Sequence, residues 1–220
     1  MKQSDRSRPR SALSRDRVVE AAVRVADDGG LSAVSMRNVA ADLGVEAMSL
    51  YHHIANKDAL LDALVEWIFT EITLPAPDVP WRQAMRERAA AARDTLSRHP
   101  WALGLIESRL SPGPALLRHH DTVLSHLRRG GFSVPLAAHA FSVIDAYVYG
   151  FVLTETSLPF EDGDQVQEVA TDMLREMATD AYPALTELIT EHALQPGYSY
   201  AAEFDFGLDL ILDGLESHLG

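Results

Sequence analysis

The sequence predicts an all-α protein: a small N-terminal three-helix domain of helix-turn-helix type, followed by a larger helical C-terminal domain. Three observations predict it. Apolar residues recur at three- and four-residue spacing along nearly the whole chain, and regular strand alternation is absent. Helix-capping residues and glycines punctuate that pattern at helix-length intervals. A proline-rich run, 73–80, separates a short first part from a long second one.

The elements follow in order. Residues 1–13 are Ser-, Arg- and Pro-rich with almost nothing to bury, and they predict a disordered basic arm. Ser14 caps a helix over 15–28, with Val18, Ala21, Ala22 and Val25 on one face and Gly29-Gly30 stopping it. Ser35 caps a short helix over 36–43, Gly44 ends it, and a third helix spans 46–53. These three helices make a domain over 14–56. Asn56 caps a connecting helix in 57–73, striped by Leu60, Leu61, Leu64, Trp67 and Ile68. Beyond the prolines, 81–220 carries helices at 81–98, 100–109, 114–129, 134–156, 165–179, 182–193 and 200–218, broken at Gly130-Gly131, at 159–163 and at Pro196-Gly197.

Composition narrows the function classes. Of 220 residues 47% are hydrophobic and 23% charged, which suits a globular chain. The absence of cysteine excludes disulfides, thiolate metal sites and a cysteine nucleophile. The net charge of −13 is unevenly placed. Residues 1–60 hold nine Lys/Arg against eight Asp/Glu, and 61–220 hold ten against twenty-four. A basic tip on an acidic body orients on a polyanion. The N-terminus has no apolar segment behind its basic residues, so a cytoplasmic protein is expected. The nearly apolar stretch 134–153 contains Asp145, which argues for a buried soluble helix and no membrane partner.

A short helix, a glycine turn and a second short helix within about twenty residues is helix-turn-helix geometry. Val39, Ala40 and Leu43 form the inner face of the first helix, and Gly44 supplies the turn. Val45 and Leu50 are expected to anchor the second from beneath. Its outward residues, Ala47, Met48, Ser49, Tyr51 and His52, are small or flat enough to enter a major groove.

Residues 43–61 read Leu-Gly-Val-Glu-Ala-Met-Ser-Leu-Tyr-His-His-Ile-Ala-Asn-Lys-Asp-Ala-Leu-Leu. The Leu-Gly-Val turn, the Leu-Tyr-x-His core and the Lys-x-x-Leu-Leu helix start resemble the N-terminal domain of TetR-family (tetracycline-repressor-like) transcriptional regulators, with Ile54 a conservative departure. More weakly, 113–156 resembles the ligand-binding domain of the tetracycline-repressor branch. The resemblance implies a homodimer on double-stranded operator DNA, released by a small-molecule effector of unknown identity. It implies that Met36 and Arg37 face DNA, that Ala47, Met48 and Ser49 read bases, and that Tyr51, His52 and Lys57 touch phosphate. It also places a dimer bundle on the helices at 134–156 and 200–218. Ala140, Ile144, Phe151, Phe204, Leu208, Ile211 and Leu215 are its expected interface. Asp145 falls where that branch lines its ligand pocket, and its apolar flanks demand that it be paired, protonated or lining a polar cavity. Phe141, Tyr149, Trp101 and Glu107 are expected to share that pocket. Tetracycline and magnesium are not carried over, since Glu107 stands where the branch uses a histidine; no cofactor or metal is implied.

An all-α enzyme, or a ligand-binding protein without operator binding, is the competing reading. It finds little to stand on. His119-His120-Asp121 is a poor metal site, because neighbours on a helix point about 100° apart. No triad or carboxylate pair follows from spacing.

Overall fold

The computed structural model describes residues 12–106, 108, 112–159 and 163–219. Among the described residues eleven α-helices form and no strand: α1 (Arg15–Ala33), α2 (Met36–Leu43), α3 (Ala47–Leu50), α4 (Lys57–Glu71), α5 (Trp81–Arg98), α6 (Trp101–Ile106), α7 (Pro114–Arg129), α8 (Val134–Glu155), α9 (Gly163–Glu176), α10 (Pro183–Leu188) and α11 (Tyr200–Glu216). Helix starts fall where caps were expected, because a side-chain oxygen there takes an orphan backbone N–H. Ser14 Oγ accepts from Arg17 N, Ser35 Oγ from Asn38 N at 3.1 Å, and Asn56 Oδ1 from Ala59 N at 2.8 Å. Most of the predicted arm, 1–11, lies outside the described residues.

Three stretches differ from expectation. α1 continues past 28 and kinks at Gly30, whose φ of 69° only glycine adopts cheaply. Of the helix expected over 100–109, Trp101–Ile106 is seen, and 107 and 109 lie outside the described residues. The one expected over 182–193 divides into α10 and a wider π turn, Ile189–Ala193.

The chain divides into two compact units. The first holds the chain through Glu71 together with Trp101–Leu117; the second holds Ile72–Pro100 and the chain from Arg118 onward. The sequence placed 101–117 in the C-terminal domain. It joins the first unit because Trp101, Ala102, Leu103 and Leu105 are buried and α6 packs on α1 and α4. Trp101 Nε1 also donates to Asp27 of α1 at 2.7 Å. Further along, Glu66 of α4 accepts from Ala115 N at 2.8 Å and Leu116 N at 3.3 Å, capping α7.

In the second unit α8 packs against both α5 and α11. Its length and composition would suffice to cross a bilayer. Instead its buried face (Ala137, Ala140, Ile144, Val148, Phe151) meets Ala84, Met85, Ala89, Ala92 and Leu96 of α5 and Phe204, Leu208, Leu212 and Leu215 of α11. This corrects the expected dimer interface. Ala140, Ile144, Phe151, Phe204, Leu208 and Leu215 are buried within one subunit, and Ile211 is half-buried. The strongest stripe of each helix is spent on the subunit's own core, where it removes most apolar area from water.

Candidate functional site

The helix-turn-helix is built from its turn. Gly44 sits at φ 66°, ψ 38°, and Val45 N reaches back to Ala40 O at 3.0 Å, closing α2 with a left-handed cap. Val39, Ala40, Leu50 and Ile54 are buried beneath the motif. Val45 is 36% exposed, so Ile54 takes the anchoring place expected of it, because the chain turns back after α3 and brings Ile54 N onto Leu50 O at 2.9 Å. Most of the expected reading residues are at the surface: Met48 is 73% exposed, Tyr51 46%, and Arg37, His52 and Lys57 are exposed. Met36, Ala47 and Ser49 are half-buried at their edge. Among the described residues neither Arg37 nor Lys57 has an ion-pair partner, so both cations remain available to phosphate. Lys57 is the first residue of α4, where the helix dipole adds to the attraction for an anion. The motif thus exposes an apolar side chain on α3 and a cation on each of α2 and α4.

The second unit holds a buried polar cluster. Arg88 of α5 is 1% exposed. Its Nη2 pairs with the Asp145 carboxylate, its Nε donates to His119 Nε2 at 3.3 Å, and its guanidinium lies 5.7 Å from the Phe141 ring centre. His120 meets Phe141 edge-on at 4.8 Å. Burial pushes the Asp145 carboxyl above its usual range, with the Arg88 charge acting against it. Burial, aided by Arg88, pushes His119 down to about 3, so it is neutral at pH 7 and accepts through Nε2. His120 is lowered too, by burial first. Asp145 and Phe141 both lie against Arg88, and half-buried Tyr149 follows Asp145 on α8. Trp101 belongs to the first unit, where its indole donates to Asp27. Glu107 lies outside the described residues. Arg88, His119 and His120 escaped the sequence reading as site residues. A signal existed for Arg88, which falls on the apolar stripe Ala84, Arg88, Ala92 of an otherwise Ala-lined helix face.

The faces of α8 and α11 turned away from this core keep apolar side chains. Val143 and Leu153 of α8 and Phe206 and Leu210 of α11 are 42–65% exposed. Ala146, Gly150, Ala202 and Gly214 lie exposed on the same two helices and leave room for close approach. Such a surface suits helix packing against another chain.

Comparison with known proteins fits both units. Residues 18–64 match the family described as bacterial regulatory proteins, tetR family, and 74–219 match the tetracyclin repressor-like, C-terminal domain. The chain is 36% identical over 220 residues to the HTH-type transcriptional repressor DrrR1 of Streptomyces coeruleorubidus, covering 94% of this chain and 79% of that one. It is 30% identical over 207 residues to the tetracycline repressor protein class C of Escherichia coli, covering 93% and 91%. The crystal structure of ActR from Streptomyces coelicolor in complex with actinorhodin superposes with a TM-score of 0.76 at 26% identity, covering 94% of this chain and 97% of that one.

Proposed function

The chain belongs to the tetR family of bacterial regulatory proteins, and from that premise we propose that it is a homodimeric, cytoplasmic transcriptional repressor that a small molecule releases from operator DNA. The observation that carries the reading is the surface around α3. Met48, 73% exposed on α3, offers an apolar side chain to a groove, and Arg37 and Lys57 are exposed with no ion-pair partner among the described residues, open to phosphate. The exposed faces of α8 and α11 supply the dimer, which a two-fold operator requires. The Arg88–Asp145 cluster is the effector site. It centres on Arg88, buried with an unmet N–H pair, unlike the more exposed Arg93–Glu155 pair of the same two helices, and the related ActR has been seen with actinorhodin bound. His119 and His120 lie on α7, whose first turn Glu66 of α4 caps. A ligand that displaces those histidines therefore acts on the helix that α4 holds. The relatives are named as transcriptional regulators and repressors, which favours this reading over an all-α enzyme.

Fluorescence anisotropy with DNA flanking the chain's own gene tests the proposal. Tight, sequence-selective binding that a member of a small-molecule panel reverses is the expected result. Binding that no competitor sequence distinguishes would overturn it.

A further inference from the structure

Arg88 has more donors than partners. Its Nε is used by His119 and its Nη2 by Asp145, yet Nη1 is buried without a hydrogen-bond acceptor. A buried guanidinium with an unmet N–H pair is expensive, because the desolvation of that pair is not repaid. Native interiors meet nearly all such donors, and an exception in a binding domain points to an absent acceptor. We propose that Arg88 is the anchor of the effector site and that the effector carries a carboxylate or ionised phenol oxygen on a flat ring system. This rests on the reading of the second unit as effector-binding.

The chemistry follows from what surrounds the free edge. Nη1 and Nη2 form one planar fork, and only its Nη2 arm is engaged by Asp145. A fork of this kind matches two-oxygen anions better than it matches a single neutral acceptor. His119 cannot supply the missing acceptor, because its Nε2 already receives Arg88 Nε. The Phe141 ring lies under the guanidinium and His120 meets that ring edge-on, and these two rings favour a flat partner over a branched aliphatic one. Asp145 is then an internal competitor: its carboxylate holds the cation that the ligand must share. It keeps the buried charge paired while the site is empty, and it discriminates against weakly acidic or neutral molecules.

That competition gives a test a purely structural ion pair would not pass. The probe is 1-hydroxy-2-naphthoate, titrated into the full-length protein without DNA, beside its neutral carboxamide. The acid should bind more tightly than the amide. Asp145→Asn keeps an oxygen toward Nη2 but removes the competing charge, so the acid should bind at least about fivefold more tightly and the amide should not gain. Arg88→Gln should weaken the acid by about tenfold or more, as expected for a charged hydrogen bond. If that variant does not fold, the Asp145→Asn comparison decides alone. Equal binding of acid and amide, or an acid affinity that Asp145→Asn leaves unchanged or weakens, overturns the proposal. Operator binding by the same preparations separates the two readings. Selective DNA binding without acid preference leaves the repressor standing and removes the acid anchor. Acid preference without selective DNA binding does the reverse.

Discussion

Lys57 and Met48 divide the labour of recognition at the level of single side chains. Lys57 is exposed at the start of α4 with no ion-pair partner among the described residues, which suits a phosphate contact. Lys57→Ala should weaken binding to all sequences alike and lower the slope of log affinity against log salt by about 2 for a dimer, one phosphate per subunit. Met48→Ala should instead change which base pairs are preferred; competition binding over operator variants checks both. In the cluster, His119 is held neutral down to about pH 3, against 6.5 for the free group. The unfolded chain therefore binds a proton that the folded chain refuses, and stability contributed by this site falls as pH drops from about 6.5 toward 3. The loss is on the order of several kcal/mol across that window. The raised Asp145 carboxyl acts in the opposite sense in its own part of the window. Comparing wild type with His119→Gln isolates the histidine: the variant should unfold with a shallower acid dependence in denaturant titrations. Asp145 was legible as an oddity from its apolar flanks. Its partner was not, because the pairing of α5 with α8 is a tertiary fact.

At the scale of helices, periodicity located the apolar stripes of α8 and α11 and misjudged their destination. Both helices are apolar on more than one face, and spacing alone does not say which face a subunit buries in itself. Leu208 is fully buried against α8, whereas Leu210, two residues on, is 59% exposed. Leu208→Glu should accordingly destabilise the fold by several kcal/mol, as a buried unpaired charge does. Leu210→Glu should leave thermal unfolding of the subunit nearly unchanged while sedimentation shows a monomer. Caps were the most legible features, since Ser14, Ser35 and Asn56 act on residues three positions away. The Glu66 cap on α7 joins residues about fifty apart and left no local trace. Glu66→Ala should cost about 1 kcal/mol of stability. Gly113→Ala should cost a similar amount, because a Cβ there would collide with the Glu66 carboxylate; chemical denaturation measures both.

Over the whole molecule, the charge asymmetry of the sequence finds its use. The net charge of −13 resides beyond residue 60, and the near-neutral first segment presents Arg37 and Lys57 without ion-pair partners among the described residues. An acidic body repels DNA wherever the reading surface is not engaged, which favours a defined docking over diffuse attachment. The two-domain plan was legible because prolines interrupt the helical pattern at 73–80. The return of α6 to the first unit was not, since nothing local marks Trp101 as a partner of Asp27. The central claim is that two copies of the α3 surface, joined through α8 and α11, grip one two-fold operator. Nuclease protection on DNA upstream of the chain's own gene, with wild type and Leu210→Glu side by side, tests it most directly. The account predicts that wild type protects an inverted repeat whose half-sites lie about one helical turn or a multiple apart, and that Leu210→Glu protects nothing at the same concentration. Protection by the monomeric variant equal to wild type, or protection lacking two-fold symmetry, would contradict it.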